Sequence, residues 1–138
     1  MSDSEITKFF GEGLPRPTVP LSHGAMAEGW LYCAGVVGRK PNGEIIENDQ
    51  REATLQCLEN LLAIVKTAGG DKANIVKVSV FLANFDDYAA MNAAFEEFFD
   101  PPYPARTTIE AGGLGIGQVE LDAVAYIGIH SDPQPTTS

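Results

Sequence analysis

A chain of 138 residues with 44% hydrophobic content is long enough for one cored domain and too short for two. Nine Lys and Arg against nineteen Asp and Glu leave a formal charge of -10. Such a field repels phosphate backbones and anionic headgroups, which argues against nucleic-acid and membrane-surface roles. No run approaches the roughly 20 apolar residues of a membrane span, and the first residues lack a basic, then apolar, leader. Cys33 and Cys57 form no CxxC and no Cys/His cluster, so the expectation is a cytoplasmic protein with free thiols and no metal site.

One domain over residues 1–138 is expected, with 1–8 and 131–138 as loose termini, the latter for its polar residues and Pro133 and Pro135. Ala25-Met26-Ala27 and Trp30 to Val37 read as a hairpin around the turn Glu28-Gly29, and a second turn follows at Pro41-Asn42-Gly43. From Asp49 to Ala68 the apolar positions Ala53, Cys57, Leu58, Leu61, Ile64, Val65 and Ala68 recur at helical spacing. Asn48 or Asp49 is the N-cap, and Gly69-Gly70 ends the helix. Ile75 to Leu82 is rich in β-branched residues and reads as a strand.

Asp86 is expected to open a second helix with the stripe Tyr88, Met91, Asn92, Phe95 and Phe99, stopped by Asp100-Pro101-Pro102. Strands over about 105–111 and 118–129 follow, joined by the glycine-rich segment Gly112 to Gly117. That segment leads into a strand and lacks the helix N-terminus of a phosphate cradle, so it reads as a connector. The predicted order is ββαβαββ, an α+β sandwich with a mixed sheet and two helices on one face. On the last strand Glu120, Asp122, Val124 and Tyr126 face away from Val119, Leu121, Ala123 and Ala125. That second face is partly apolar with no helix to cover it, which predicts a homo-oligomer.

Arg106, two residues after Pro104 at the start of a strand, is held on a stiff element, and its planar fork suits bidentate capture of a carboxylate. The bland alternative is pairing with a surface acid. Glu120 at a strand start is either placed to orient or deprotonate a water or is a solvated strand-end acid. Asn92, on the helix stripe, either braces a loop or touches ligand. No spacing argument orients His23, which reads as structural, and Cys33 reads as a small core hydrophobe.

Four stretches carry a resemblance: Ile75 to Leu82; Phe85-Asp86-Asp87-Tyr88 with Met91 to Phe99; Pro104-Ala105-Arg106; and Val119 to Ala125. Over roughly residues 18–128 the chain resembles the reactive intermediate deaminase family, RidA or YjgF, also called L-PSP endoribonuclease. The resemblance implies a chorismate-mutase-like subunit in a homotrimer with sites in the clefts between subunits. It implies hydrolysis of enamine and imine acids to 2-oxo acids and ammonia without a cofactor. It implies that Arg106 binds the substrate carboxylate, that Glu120 stands near the attacking water, that Asn92 edges the site, and that Thr108 falls where many members have a cysteine.

The chain also departs from the family pattern. Ala34-Gly35-Val36 stands where Ser-Gly-Gln is frequent, and Leu21 replaces a frequent aromatic, which implies a more apolar pocket. The substrate-binding set is thus Arg106, Asn92, Thr108, Ala34, Gly35 and Leu21. A non-catalytic protein binding a small carboxylate metabolite in the same cleft is the alternative function. RNA cleavage conflicts with the charge and with the lack of a basic aromatic patch.

Overall fold

The computed structural model describes residues 5–128. The elements run β1 (Thr7–Phe9), β2 (Gly24–Ala27), β3 (Trp30–Val37), α1 (Gln50–Thr67), β4 (Ile75–Leu82), α2 (Tyr88–Phe98), β5 (Ala105–Glu110) and β6 (Val119–Tyr126), with short 3-10 turns at Lys72–Asn74 and Phe85–Asp87. The strands form one mixed sheet in the order β1-β2-β3-β6-β4-β5, antiparallel except for the parallel pair β4–β5. Both helices cover one face.

Local chemistry explains most of these elements. The β2–β3 hairpin closes through Glu28 at φ 51 and Gly29 at φ 85, the two consecutive left-handed residues of a type I′ turn. Asp49 caps α1 by accepting the Glu52 N–H at 3.0 Å. The helix ends where Gly69 takes φ 97 and Gly70 donates back to the Val65 carbonyl. Its stripe of Ala53, Cys57, Leu58, Leu61, Ile64 and Val65 packs on Leu31, Cys33, Val78, Val80, Leu121 and Ala123 of the sheet, all buried. Truncating one of these leucines to alanine typically costs about 2–5 kcal/mol.

Three expectations need correction. Thr7 and Lys8, expected in a loose lead, join Phe9 in an edge strand registered on β2, so a strand precedes the expected order. Asp86 does not open the second helix: Asn84 accepts the Asp86 N–H at 2.8 Å and starts a 3-10 turn, and α2 begins at Tyr88. The buried side of α2 is Met91, Ala94, Phe95 and Phe98, so Tyr88 and Asn92 lie on its margin, while buried Phe99 is the C-cap. Of the expected loose termini at 1–8 and 131–138, residues 1–4 and 131–138 lie outside the described residues, as does the far end of the strand expected to reach 129.

Two features of register position everything that follows. Between Cys33 and Val36 strand β3 carries an extra residue relative to β6, a bulge that displaces Ala34 and Gly35 from the regular ladder. On β5, Arg106 registers with Val78 and Thr108 with Val80, so both project on the helix side. Glu120 registers with Phe81 and Val37, on the side without helices.

Candidate functional site

The expected site residues fall into two groups on opposite sides of the sheet. The first lies where β5 meets α2. Tyr88 and Asn92, four apart, share a helix face, and Phe95 follows three later. The Arg106 guanidinium lies 4.9 Å from the Phe95 ring centre and 5.8 Å from that of Tyr88, and its Nη2 donates to the Tyr88 hydroxyl at 3.4 Å. Among the described residues no carboxylate lies within ion-pairing distance of Arg106. The alternative of ordinary surface pairing therefore finds no partner, and a guanidinium fixed by two rings is left free to fork onto a carboxylate. Beside it, the Thr108 hydroxyl oxygen is buried without a hydrogen-bond partner. Asn92 is half-buried, and it sits between the two residues that touch Arg106.

The second group surrounds Glu120 in an open cleft of about 680 Å³. The β3 bulge forms one wall, with Gly35, Val36 and Val37. The segment from Leu14 to Leu21 and the glycine-rich connector, through Leu114 and Ile116, form the others. Gly35 has a specific reason to be glycine: a Cβ there would meet Glu120 Oε2 at 2.3 Å. The carboxylate thus rests against bare backbone. Burial, and then the neighbouring Asp122 charge, holds the Glu120 carboxyl above its ordinary value. Ala34 is not among the residues lining the cleft, and its N–H donates to the His23 carbonyl.

His23 has the orienting partner that spacing did not reveal, because its Nδ1 accepts the Gly11 N–H at 2.8 Å. Burial, followed by the Arg16 charge, lowers its pKa, against a weaker opposing pull from the Pro15 carbonyl. Cys33 is buried and its thiol is pushed up to about 12 by burial and then by Asp122, which removes it as a nucleophile at neutral pH.

One copy of the chain does not bring Arg106 and Glu120 together, since they project from opposite sides of the sheet with β4 between their strands. Sequence reasoning also passed over Arg16 and Arg39, which line the Glu120 cleft. Arg16 is bracketed by Pro15 and Pro17, the same stiffening signal that marks Arg106 after Pro104. Buried Asn60 holds the end of β3 by donating to the carbonyls of Val37 and Arg39 at 3.2 and 2.9 Å. No pattern local to α1 distinguishes it from a solvated amide.

Residues 12–127 match the family described as Endoribonuclease L-PSP. A RutC family protein of Pyrococcus horikoshii is 36% identical over 119 residues, covering 85% of this chain and 94% of that one. A 2-iminobutanoate/2-iminopropanoate deaminase of Dermatophagoides farinae is 30% identical over 115 residues, 82% of this chain and 90% of its own. Among solved structures, the YjgF gene product of E. coli superposes with a TM-score of 0.82 at 30% identity, over 87% of this chain and 98% of that one.

Proposed function

The chain belongs to the RidA/YjgF family, and from that premise we propose that it hydrolyses a small 2-imino acid to a 2-oxo acid and ammonia. The observation that carries this reading is Arg106, clamped between Phe95 and Tyr88 with no carboxylate partner among the described residues. It is a preformed anchor for the substrate carboxylate. Glu120 of a neighbouring copy completes the cleft, because within one copy the sheet separates the two. The uncovered sheet face supports such an assembly: Trp30 and Tyr126 pack with ring centres 4.7 Å apart on it, and both remain exposed in the single chain, as does Tyr32. A homotrimer is the arrangement we infer.

The reaction then needs few groups. Arg106 holds the carboxylate, and an enamine tautomerises to the imine by taking a proton on carbon and losing one from nitrogen. A water gives one proton to Glu120 as its oxygen bonds to the imine carbon, and the C=N π pair moves to nitrogen. Glu120 returns the proton to that nitrogen. The carbinolamine hydroxyl then gives its proton to the nitrogen by way of Glu120, the O–H pair closes the C=O bond as the C–N bond breaks, and ammonia departs. The raised Glu120 pKa supports this shuttle, since a base poised nearer neutrality also gives its proton back more readily. The imine carbon is already electrophilic, so positioning supplies much of the acceleration.

Arg106→Ala is expected to abolish ammonia release from imino acids generated in situ by an amino-acid oxidase, with the thermal midpoint unchanged. Near-native turnover by that variant sinks the mechanism. Ligand-dependent thermal stabilisation without turnover in the wild type would instead identify a non-catalytic metabolite binder. The family description names an endoribonuclease, but the formal charge of -10 opposes a polyanionic substrate, and RNA cleavage is not the activity proposed.

A further inference from the structure

The chain has four arginines, and only Arg51 meets carboxylates among the described residues, those of Glu52 and Glu97. Of the other three, Arg106 is the proposed anchor, while Arg16 and Arg39 both line the cleft around Glu120. Both are pre-organised. Arg16 lies between two prolines, its guanidinium carbon 4.3 Å from the centre of the Phe10 ring. Arg39 is tied through Nη1 to the Gly43 carbonyl at 3.2 Å, and its own carbonyl is held by buried Asn60.

Neither guanidinium is within 4.0 Å of Glu120, so the acid is free to move protons and the arginines are free to bind. In a protein of formal charge -10, the described lining of this cleft carries two positive groups against one acid. An apolar substrate side chain would strip water from both guanidiniums and return no hydrogen bond, whereas a carboxylate would satisfy them with charge-assisted ones.

We propose that the cleft takes a 2-imino dicarboxylate, its second carboxylate held by Arg16 and Arg39 while Arg106 of a neighbouring copy holds the first. This rests on the deaminase reading for the reaction, but the dicarboxylate preference is measurable as binding alone. It departs from the apolar pocket implied by Leu21 and Ala34, because Ala34 does not line the cleft and Leu21 shares it with both guanidiniums.

The test compares imines made in situ from aspartate and from alanine by the matching oxidases, with ammonia release as the readout. The wild type is expected to favour the dicarboxylic imine in kcat/KM. Arg39→Gln and Arg16→Gln, which keep much of the side-chain stem, should each raise KM for that substrate by about tenfold to a hundredfold. KM for the alanine-derived imine and kcat for both should move little, the mark of lost uniform binding.

Calorimetry adds a measurement independent of turnover and of any variant: succinate should bind the wild type at least about tenfold more tightly than butanoate, and more so at low salt. Equal affinity for the two acids, or an equal KM rise for both imines in the variants, overturns the proposal. If succinate is preferred but no imine is turned over, the dicarboxylate site stands and the deaminase reading fails. If imines are turned over without a dicarboxylate preference, only the present proposal fails.

Discussion

Gly35→Ala separates positioning from folding. The new Cβ would stand 2.3 Å from Glu120 Oε2, 3.2 Å from its Cδ and 3.5 Å from its Cγ. Restoring ordinary contact requires the carboxylate to retreat by about 1 Å, a displacement on the scale that costs about a hundredfold in rate. The fold should tolerate the change. Gly35 does not occupy the left-handed region, and the colliding atom is the far end of a flexible side chain. Alanine gains roughly 0.5–1 kcal/mol over glycine within a strand, against about 0.5–1.5 kcal/mol for pushing Glu120 off its rotamer. The net is within about 1 kcal/mol, a midpoint shift of a few degrees. The assay is ammonia release from an imino acid beside a thermal melt. Gly35→Ala should lose about a hundredfold in kcat with a near-native melt, and should cost nothing further in a Glu120→Gln background. A Gly35→Ala variant within about threefold of wild type, or a loss that persists in the Gln background, refutes the reasoning.

Two further outcomes follow from the titrating groups. Burial and Asp122 raise the Glu120 pKa on folding, so its ionisation above the ordinary carboxyl value opposes the folded state; Glu120→Gln should raise the melting temperature at neutral pH while collapsing kcat and removing the acid limb of its pH profile. Cys33 and Cys57 are both held protonated by burial, Cys33 up to about 12 from 9.0. Above pH 9 the unfolded chain therefore loses thiol protons that the folded chain keeps, and each thiol should lower stability by about 1.4 kcal/mol per pH unit. A chemical-denaturation series from pH 8 to pH 11 checks this, and both thiols should react with a disulfide reagent only on unfolding.

The regular parts of the fold were legible because burial imposes a period on them. The helical stripe of α1 and the β-branched run of β4 are long enough to show theirs, and the predicted bounds of β4 coincide with the strand. Thr7-Lys8-Phe9 is too short to show one, and its strand exists only because β2 offers an edge to pair with. At the start of α2, Asn84 and Asp86 are equally good caps two residues apart, and only the intervening 3-10 turn decides between them. Alternation correctly set Glu120 opposite Val119 and Leu121. Alternation orders faces within one strand, however, and not between strands. That Arg106 and Glu120 lie on different sides of the sheet depends on the β4–β5 and β4–β6 registers, which no local pattern encodes. Arg16 and Arg39 were overlooked for a related reason: the flanking prolines mark Arg16 as stiff, but only the folded chain brings it alongside the β3 bulge and Glu120.

The separation of Arg106 from Glu120 has a consequence that can be measured without any structure of the assembly. Arg106→Ala subunits keep Glu120, and Glu120→Gln subunits keep Arg106, so each homo-oligomer should be inactive. When the two are unfolded together in equal amounts and refolded, a competent cleft forms wherever a Glu120→Gln subunit presents Arg106 to an Arg106→Ala subunit presenting Glu120. With random assembly each subunit type occurs with equal chance at each position, so about one cleft in four is competent, whether the contact is the repeated one of a ring or the reciprocal one of a dimer. Recovery of about a quarter of wild-type activity is the expected result, and none should appear when the two proteins are mixed without exchange. If the working Arg106 and Glu120 came from the same copy, no mixture could restore activity. The six-stranded order then bears directly on the proposed reaction: with β4 between β5 and β6, and Arg106 and Glu120 on opposite faces, the proposed mechanism requires a second copy for its chemistry and not merely for stability.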